Sequence, residues 1–286
     1  MNFRIALLLS MVILSTSVFS AEQIPTLEQI KQTGKIRLGY RKSEPPMSFL
    51  DGNGKPIGYS IDLCTRIASG VKSTLKMSEI AVEFVAVDSA NRFTALSDNK
   101  IDILCGATTK TLSRGALVDF TQLTFVTGAS LLSLASKPIN GISDLRGKKV
   151  AVVKDTTTIV ALKNALKDAL TEANIVPVSS AAEGVKALQE GNVDAFSSDQ
   201  VVLIGLIMTS DNPKRFTVAN ELFSFEPFAL AVRRNDADFR LVADRALSHL
   251  NRSKQIRPIY GRWFGRFSKE IPAALLVMYA INATPE

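Results

Sequence analysis

Twice along this chain, apolar runs of strand length alternate with stretches of helical spacing, and that rhythm restricts the fold more than any other feature. In the first half, residues 35–40 (KIRLGY) and 80–87 read as strands. Between them, Ile61, Cys64, Ile67, Ala68 and Val71 recur at helical spacing on one face. A helix opening on Ser89 then leads to a buried strand over 101–104 and the small-residue turn Gly106-Ala107-Thr108-Thr109. In the second half, residues 149–153, 175–178 and 193–196 read as strands. Their partners are helices from Asp155-Thr156-Thr157-Thr158 through 170, over 181–190 and over 201–208. Such alternation builds α/β sheets of mostly parallel strands, and its recurrence predicts two of them.

Two longer extended runs join the halves. Residues 120–135 are long for one strand and pass from one domain into another, and residues 225–232 bring the chain back. Residues 26–33 form a short helix capped by Thr26 and stopped by Gly34. Residues 42–58 form a loop and hairpin, broken by Pro45-Pro46 and turned at Gly52-Asn53-Gly54. The near-continuous apolar run at 80–87 is expected where both strand faces are covered. Helices over 237–251 and 254–264 follow, and the apolar tail at 271–282 packs on the body.

Export is written at the N-terminus. Arg4 precedes an apolar run over 5–14, and Val18 and Ser20 supply the small residues of a cleavage site, so residues 1–20 read as a signal peptide. The run is shorter than the ~20 apolar residues that span a bilayer. The 34 basic residues outnumber the 27 acidic ones for a formal charge of +7, but they are scattered rather than interleaved with aromatics, which argues against nucleic acid. Their excess suits attraction of small anions to a cleft. One histidine, His249, and two cysteines leave too few ligands for zinc sites and for Ser-His-Asp or Cys-His machinery. In an oxidising compartment Cys64 and Cys105 either form one disulfide or stand as two small buried side chains.

In open α/β sheets, ligands sit beyond the carboxyl ends of strands, at helix N-termini. Here Arg41 follows the first strand, and Ser89 and Arg92 follow the second. Ala107, Thr108 and Thr109 follow the third, with Arg114 behind them; Asp155 to Thr157 and Asp199 occupy matching places in the second half. A strand-end arginine alone is usually a solvated charge, and Thr-Thr before a helix is usually a cap. Asp62, Asp88 and Asp102 offer the arginines structural partners. The weight lies in three cations, several donors and one carboxylate all falling at strand ends. Arg92, read in a first helical turn, opposes the macrodipole unless an anion binds there.

The runs GYRKSEPPMSF, GYSIDLC and SANRFTALSDNKIDILCGATT, with Arg114 behind them, and later DTTT and AFSSDQ, resemble the periplasmic amino-acid-binding proteins of ABC importers, nearest to the glutamate/aspartate-binding branch. The likeness covers nearly the whole mature chain. It implies an α/β, two-lobed periplasmic binding protein (type II, Venus-flytrap) with hinge crossings near 125–128 and 225–228. Lobe 1 would comprise residues 21–126 plus 227–286, and lobe 2 residues 127–226. By resemblance, Arg114 clamps the α-carboxylate with Thr109 and the Ala107 backbone, and Asp199 accepts the α-ammonium. Arg41, Arg92 and Ser89 match the side-chain carboxylate subsite, and Thr157 a further carboxylate contact. Ala107 and Ala181 stand where that branch has serine and histidine; Ser60 agrees with it. The implied partners are an amino acid and a membrane permease with its ATPase, with no cofactor, no metal and a monomeric chain.

The side-chain subsite also follows from charge. With Arg41 and Arg92 in a cleft, a neutral ligand would leave two buried cations unpaired, at several kcal/mol, so glutamate or aspartate is expected. A dehydratase acting on carboxylated cyclohexadienyl rings, on the same scaffold, is the competing expectation. It would need a general acid from Glu44 or Glu183, both read as solvated.

Overall fold

In a computed structural model the chain is described over residues 24–268 and 270–286; the signal peptide expected at 1–20 lies outside the described residues. Helix α1 (Thr26–Thr33) leads into β1 (Lys35–Tyr40), a small meander of β2 (Ser43–Glu44), β3 (Ser48–Leu50) and β4 (Pro56–Ile57), and helix α2 (Tyr59–Thr74). Strand β5 (Ala81–Ala86), helix α3 (Arg92–Ser97), β6 (Ile103–Cys105) and the long β7 (Val118–Thr127) follow. The chain then enters a second unit through β8 (Ala129–Leu134), β9 (Lys149–Val153), α4 (Thr157–Asp168), β10 (Asn174–Val178), α5 (Ala181–Gln189), β11 (Ala195–Asp199), α6 (Gln200–Met208) and β12 (Phe216–Val218). It returns through β13 (Glu226–Arg233) and ends in α7 (Ala237–Arg252), α8 (Ile256–Phe264) and α9 (Ala273–Ile281).

Among the described residues, one five-stranded sheet runs β5-β1-β6-β13-β7 and the other β10-β9-β11-β8-β12. The two expected sheets are present, but not as mostly parallel ones. Each has two parallel and two antiparallel pairings, because β13 and β7 cross antiparallel in the first sheet and β8 is flanked by antiparallel neighbours in the second. Strand β12 had no sequence expectation at all. A strand entering from another lobe is free to run against its neighbours, since no crossover helix of its own fixes its direction.

Other expectations shift locally. Strand β5 is an edge strand and largely exposed or half-exposed, so its apolar run is covered on neither face as fully as expected. Thr26 is the first helical residue of α1 rather than its cap, which is Pro25; the Thr26 N–H is met instead by Asp236 Oδ2 at 2.9 Å, 210 residues away. Gly34 does stop that helix, at φ 70°. No helix opens on Ser89. Residues 88–91 form a turn in which Asp88 Oδ1 accepts from the Ala90 and Asn91 N–H groups, and α3 begins at Arg92.

The first lobe's core sits between its sheet and α2, α7 and α8. Phe125 on β7 stacks on Phe264 at 4.9 Å between centroids and lies 6.3 Å from Phe228 on β13, with Tyr59 edge-on to both Phe125 and Phe264. These rings hold both crossing strands to the first lobe. The apolar tail packs on the body as expected: Tyr279 of α9 meets the Tyr59 hydroxyl at 3.0 Å. Trp263 donates its indole N–H to Asp62 at 2.8 Å and lies edge-on to Phe49 at 5.9 Å. Of the two alternatives for the cysteines the structure takes the disulfide, joining Cys64 on α2 to Cys105 at the end of β6. Its 41-residue separation closes a loop large enough to stabilise by about 2–4 kcal/mol. Replacing both cysteines with alanine is therefore expected to lower the free energy of unfolding by that amount, read as a lower denaturant midpoint, and an unchanged midpoint would contradict it.

Candidate functional site

Strands β1, β6 and β13 of the first sheet and β9 and β11 of the second end facing one another, and the loops beyond them close over a small cavity. Its lining includes Glu44, Arg92, Ala107, Thr109 and Arg114 from the first lobe and Thr156, Thr157, Thr158, Ala181 and Asp199 from the second. Six of the eight expected site residues thus meet around one space. Arg41 and Ser89 are the two that do not line it. They lie immediately behind, where Arg41 Nη2 donates to Ser89 Oγ at 3.0 Å.

Each position has a local cause. Ser60, at the start of α2, donates to the Gly106 carbonyl at 3.1 Å and steadies the turn after β6. A Cβ on Gly106 would lie 2.9 Å from Arg41 Cγ, so only glycine lets that side chain lie against the turn. The 88–91 turn presents Ser89 inward. Arg114 folds back so that Nη1 donates to the Thr109 carbonyl at 2.8 Å, and its guanidinium covers the Phe93 ring at 5.4 Å. None of Asp62, Asp88 and Asp102 partners the site arginines: Asp62 pairs with Arg262, Asp102 with Arg37, and Asp88 holds its own turn.

The site's charged groups are incompletely paired. Arg92 is 2 % exposed, and its Nε has no hydrogen-bond partner among the described residues. Its Nη2 donates across to the Asp155 carbonyl of the other lobe at 3.2 Å. Burial, then the Arg41 and Arg114 charges, lower its pKa to about 9 while Glu44 and Asp199 oppose the shift, so it is a cation at neutral pH. Burial also lowers Arg114, against the pull of Glu226 and Asp199. Asp199 is pushed well up, first by burial and then by Glu226 and Glu44, while Arg114 and Arg92 oppose the shift; its Oδ1 also lacks a partner. Arg41 Nη1 is a third buried orphan.

Two acidic residues were not read as part of this site. Glu44, taken as solvated, keeps only 15 % of its side chain exposed; its Oε1 pairs with Arg41 Nη2 at 3.0 Å and its Oε2 accepts from the Ala107 N–H at 3.3 Å. Glu226, at the start of β13, is buried and accepts from Thr109 Oγ1 at 2.5 Å, Thr157 Oγ1 at 2.8 Å and Ser224 Oγ at 2.7 Å. It thereby ties a first-lobe hydroxyl to a second-lobe one. Its signal in the sequence was a lone carboxylate inside the apolar run FSFEPFALAV. Glu183 is solvated as expected and caps its own helix, accepting from the Ser179 N–H at 2.8 Å.

The lobes meet closely here. A Cβ on Gly205 of α6 would lie 2.2 Å from the Pro45 carbonyl oxygen of the first lobe, a contact that only glycine allows. Gly205→Ala is expected to hold the lobes apart. Ligand affinity should fall at least about tenfold and small-angle scattering should show no compaction on adding ligand, with circular dichroism unchanged; a variant that compacts normally would contradict this contact's role.

A two-lobed α/β protein with opposed orphan donors and an orphan acceptor around an interlobe cavity belongs to the class that binds small zwitterionic solutes. Comparison with known proteins agrees. Residues 36–266 match the family described as bacterial extracellular solute-binding proteins, family 3, and the chain belongs to that family. An L-glutamate/L-aspartate-binding protein of Pseudomonas aeruginosa is 35 % identical over 253 residues, 88 % of this chain and 84 % of that one. A glutamate/aspartate import solute-binding protein of Escherichia coli is 27 % identical over 84 % of this chain and 79 % of its own length. More distant relatives include a glutamine-binding protein of Bacillus subtilis, 27 % identical over 87 % of this chain and 86 % of its own length. Among solved structures, a cysteine-binding protein of Campylobacter jejuni superposes with a TM-score of 0.77 at 26 % identity, over 88 % of this chain and 98 % of that one. The type II two-lobed fold and amino-acid-binding class expected from the sequence are therefore established, and the relatives are solute-binding proteins of amino-acid transport.

Proposed function

We propose that this chain is exported through residues 1–20, captures glutamate or aspartate between its lobes, and presents the closed form to the permease and ATPase of an ABC importer. It works in the periplasm as a monomer, without cofactor or chemical step. The lobes are residues 21–126 plus 227–286 and residues 127–226, hinged near 125–128 and 225–228. The stacking of Phe125 and Phe228 on the first lobe supports pivots just beyond those rings.

One observation carries the proposal: Arg92 Nε and Arg41 Nη1, both buried donors on cations, lack partners beside the unpartnered acceptor Asp199 Oδ1. A dicarboxylic amino acid supplies what is missing. Its ammonium goes to Asp199, its α-carboxylate to Arg114 with Thr109 and Thr157, and its distal carboxylate to Arg92 with the Arg41–Ser89 pair behind. Each hydrogen bond to a charged group contributes ~1.5–3 kcal/mol, so about three to five of them reach the ~8 kcal/mol of micromolar binding. Calorimetric titration with the common amino acids is expected to give the tightest binding for glutamate or aspartate. Preference for a neutral or cationic amino acid would refute the acidic specificity, and binding of none would refute the function.

An ancestral amino-acid-binding protein described as a precursor of cyclohexadienyl dehydratase is among the similar structures, at 27 % identity and a TM-score of 0.70 over 84 % of this chain and 100 % of that one. A dehydratase reading needs a general acid in the cavity. Glu183 lies outside it and Glu44 accepts through both oxygens, the arrangement of a carboxylate rather than a proton donor.

A further inference from the structure

The Glu44 carboxylate stands between Arg41 and the cavity: Glu44 lines that space, and Arg41 does not. It holds one guanidinium nitrogen at 3.0 Å and one backbone N–H at 3.3 Å. Those are the contacts a ligand's distal carboxylate would seek, and the chain has filled them from within. A Cβ on Gly106 would meet Arg41 Cγ at 2.9 Å and only touch Glu44 Oε2 at 3.5 Å, so the glycine seats the arginine against the turn and Glu44 follows it; Ala107 carries no hydroxyl to compete for the carboxylate.

We propose that Glu44 is a specificity-determining residue, a tethered competitor that occupies part of the distal-carboxylate seat and so restrains the preference for acidic over amide ligands. The inference rests on the acidic-ligand reading above and names what limits it. Around the cleft stand three arginines, at 41, 92 and 114, and three carboxylates, Glu44, Asp199 and Glu226. Their formal charges cancel. A neutral amino acid, itself a zwitterion, keeps that balance, whereas glutamate or aspartate tips it by one negative charge into a buried space. With Glu44 uncharged the protein would start one positive charge ahead, and the acidic ligand would complete it. Arg41 Nη1, still without a partner, shows that Glu44 satisfies its arginine only in part. A ligand carboxylate therefore shares or displaces Glu44 rather than finding an empty cation.

The alternative is a strut, in which Glu44 does no more than hold Arg41 in place for the ligand. The two differ in sign. Titration of wild type, Glu44→Gln and Glu44→Ser with glutamate, aspartate, glutamine and asparagine separates them. Gln keeps an acceptor for the Ala107 N–H, and Ser removes the side chain's reach altogether. For a competitor, the acidic ligands bind at least about tenfold tighter to both variants while the amides move by less than about threefold, so the acid-to-amide ratio rises. Acidic affinity that is unchanged or weaker in Glu44→Gln, or acids and amides moving together, overturns the proposal; should Glu44→Gln fail to fold, the same ratio in Glu44→Ser decides. Wild type that binds none of the four refutes the function proposed above. Wild type that binds, with no rise in the ratio, refutes the role of Glu44 alone.

Discussion

Arg114→Ala is expected to abolish capture of every amino acid, acidic or neutral. Arg114 lines the cavity next to Thr109 and Thr157, the place proposed above for the α-carboxylate, and Asp199 and Glu226 both feel its charge. Removing it leaves the ligand carboxylate and two protein carboxylates without their shared cation. Losing one partner of a buried charge pair costs ~3–5 kcal/mol, which corresponds to roughly a hundred- to several-thousand-fold in affinity. The measurement is calorimetric titration with one acidic and one amide ligand. Binding reduced for the acidic ligand alone would mean that Arg114 reads the side chain instead.

Arg92→Leu should give the opposite profile in two respects. The acidic ligands lose at least about a hundredfold in affinity, since a carboxylate in this space would face leucine. Amide ligands lose far less. In the absence of ligand the variant should be more stable than wild type, because wild type carries a 2 % exposed guanidinium with one bare nitrogen, held by the Phe93 ring at 4.9 Å and a carbonyl across the cleft but by no direct carboxylate partner among the described residues. Exchanging buried charge for a packed apolar side chain is worth about 1–4 kcal/mol in favourable cases. Chemical denaturation without ligand reads this directly; a destabilised Arg92→Leu would show that the Asp155 contact, not ligand capture, explains the residue. A gain in stability would mean that the wild-type cation is held at a cost, as the proposed anionic ligand requires.

Much of this was legible from residue pattern, and the failures have physical causes. Strands β1 and β9 fall where their apolar runs begin and end, because Gly34 and the Asp155-Thr156 turn punctuate them unambiguously. Cys64 and Cys105 pair because the helix after the meander packs on β6. Strand direction was less accessible: alternation suggests parallel pairing, but β8 and β13 arrive from the other lobe and run against their neighbours. Strand β5 illustrates the limit of hydropathy, since an apolar run at a sheet edge looks like one in the middle.

At the site, Arg92, Thr109, Arg114 and Asp199 were found because they stand at strand ends. Glu44 was placed at the cleft mouth but expected to be solvated, because its burial comes with the lobes meeting at Pro45 and Gly205, which no local pattern encodes. Glu226 was missed for a different reason. It opens an apolar strand and was absorbed into it, although a single carboxylate there is an anomaly that burial must satisfy.

Trp263 is the one indole in the chain, and its surroundings decide what light can report. Its hydrogen-bond partner Asp62 and its ring neighbour Phe49 both belong to the first lobe, on α2 and β3. When the lobes move as bodies the indole travels with its own neighbours, so its emission should barely change whether the cleft is full or empty. A quiet intrinsic signal is then no sign of an unoccupied protein. An optical sensor made from this chain needs its chromophore on the far lobe or a pair of dyes spanning the two, with Val160, 58 % exposed on α4, a suitable attachment point.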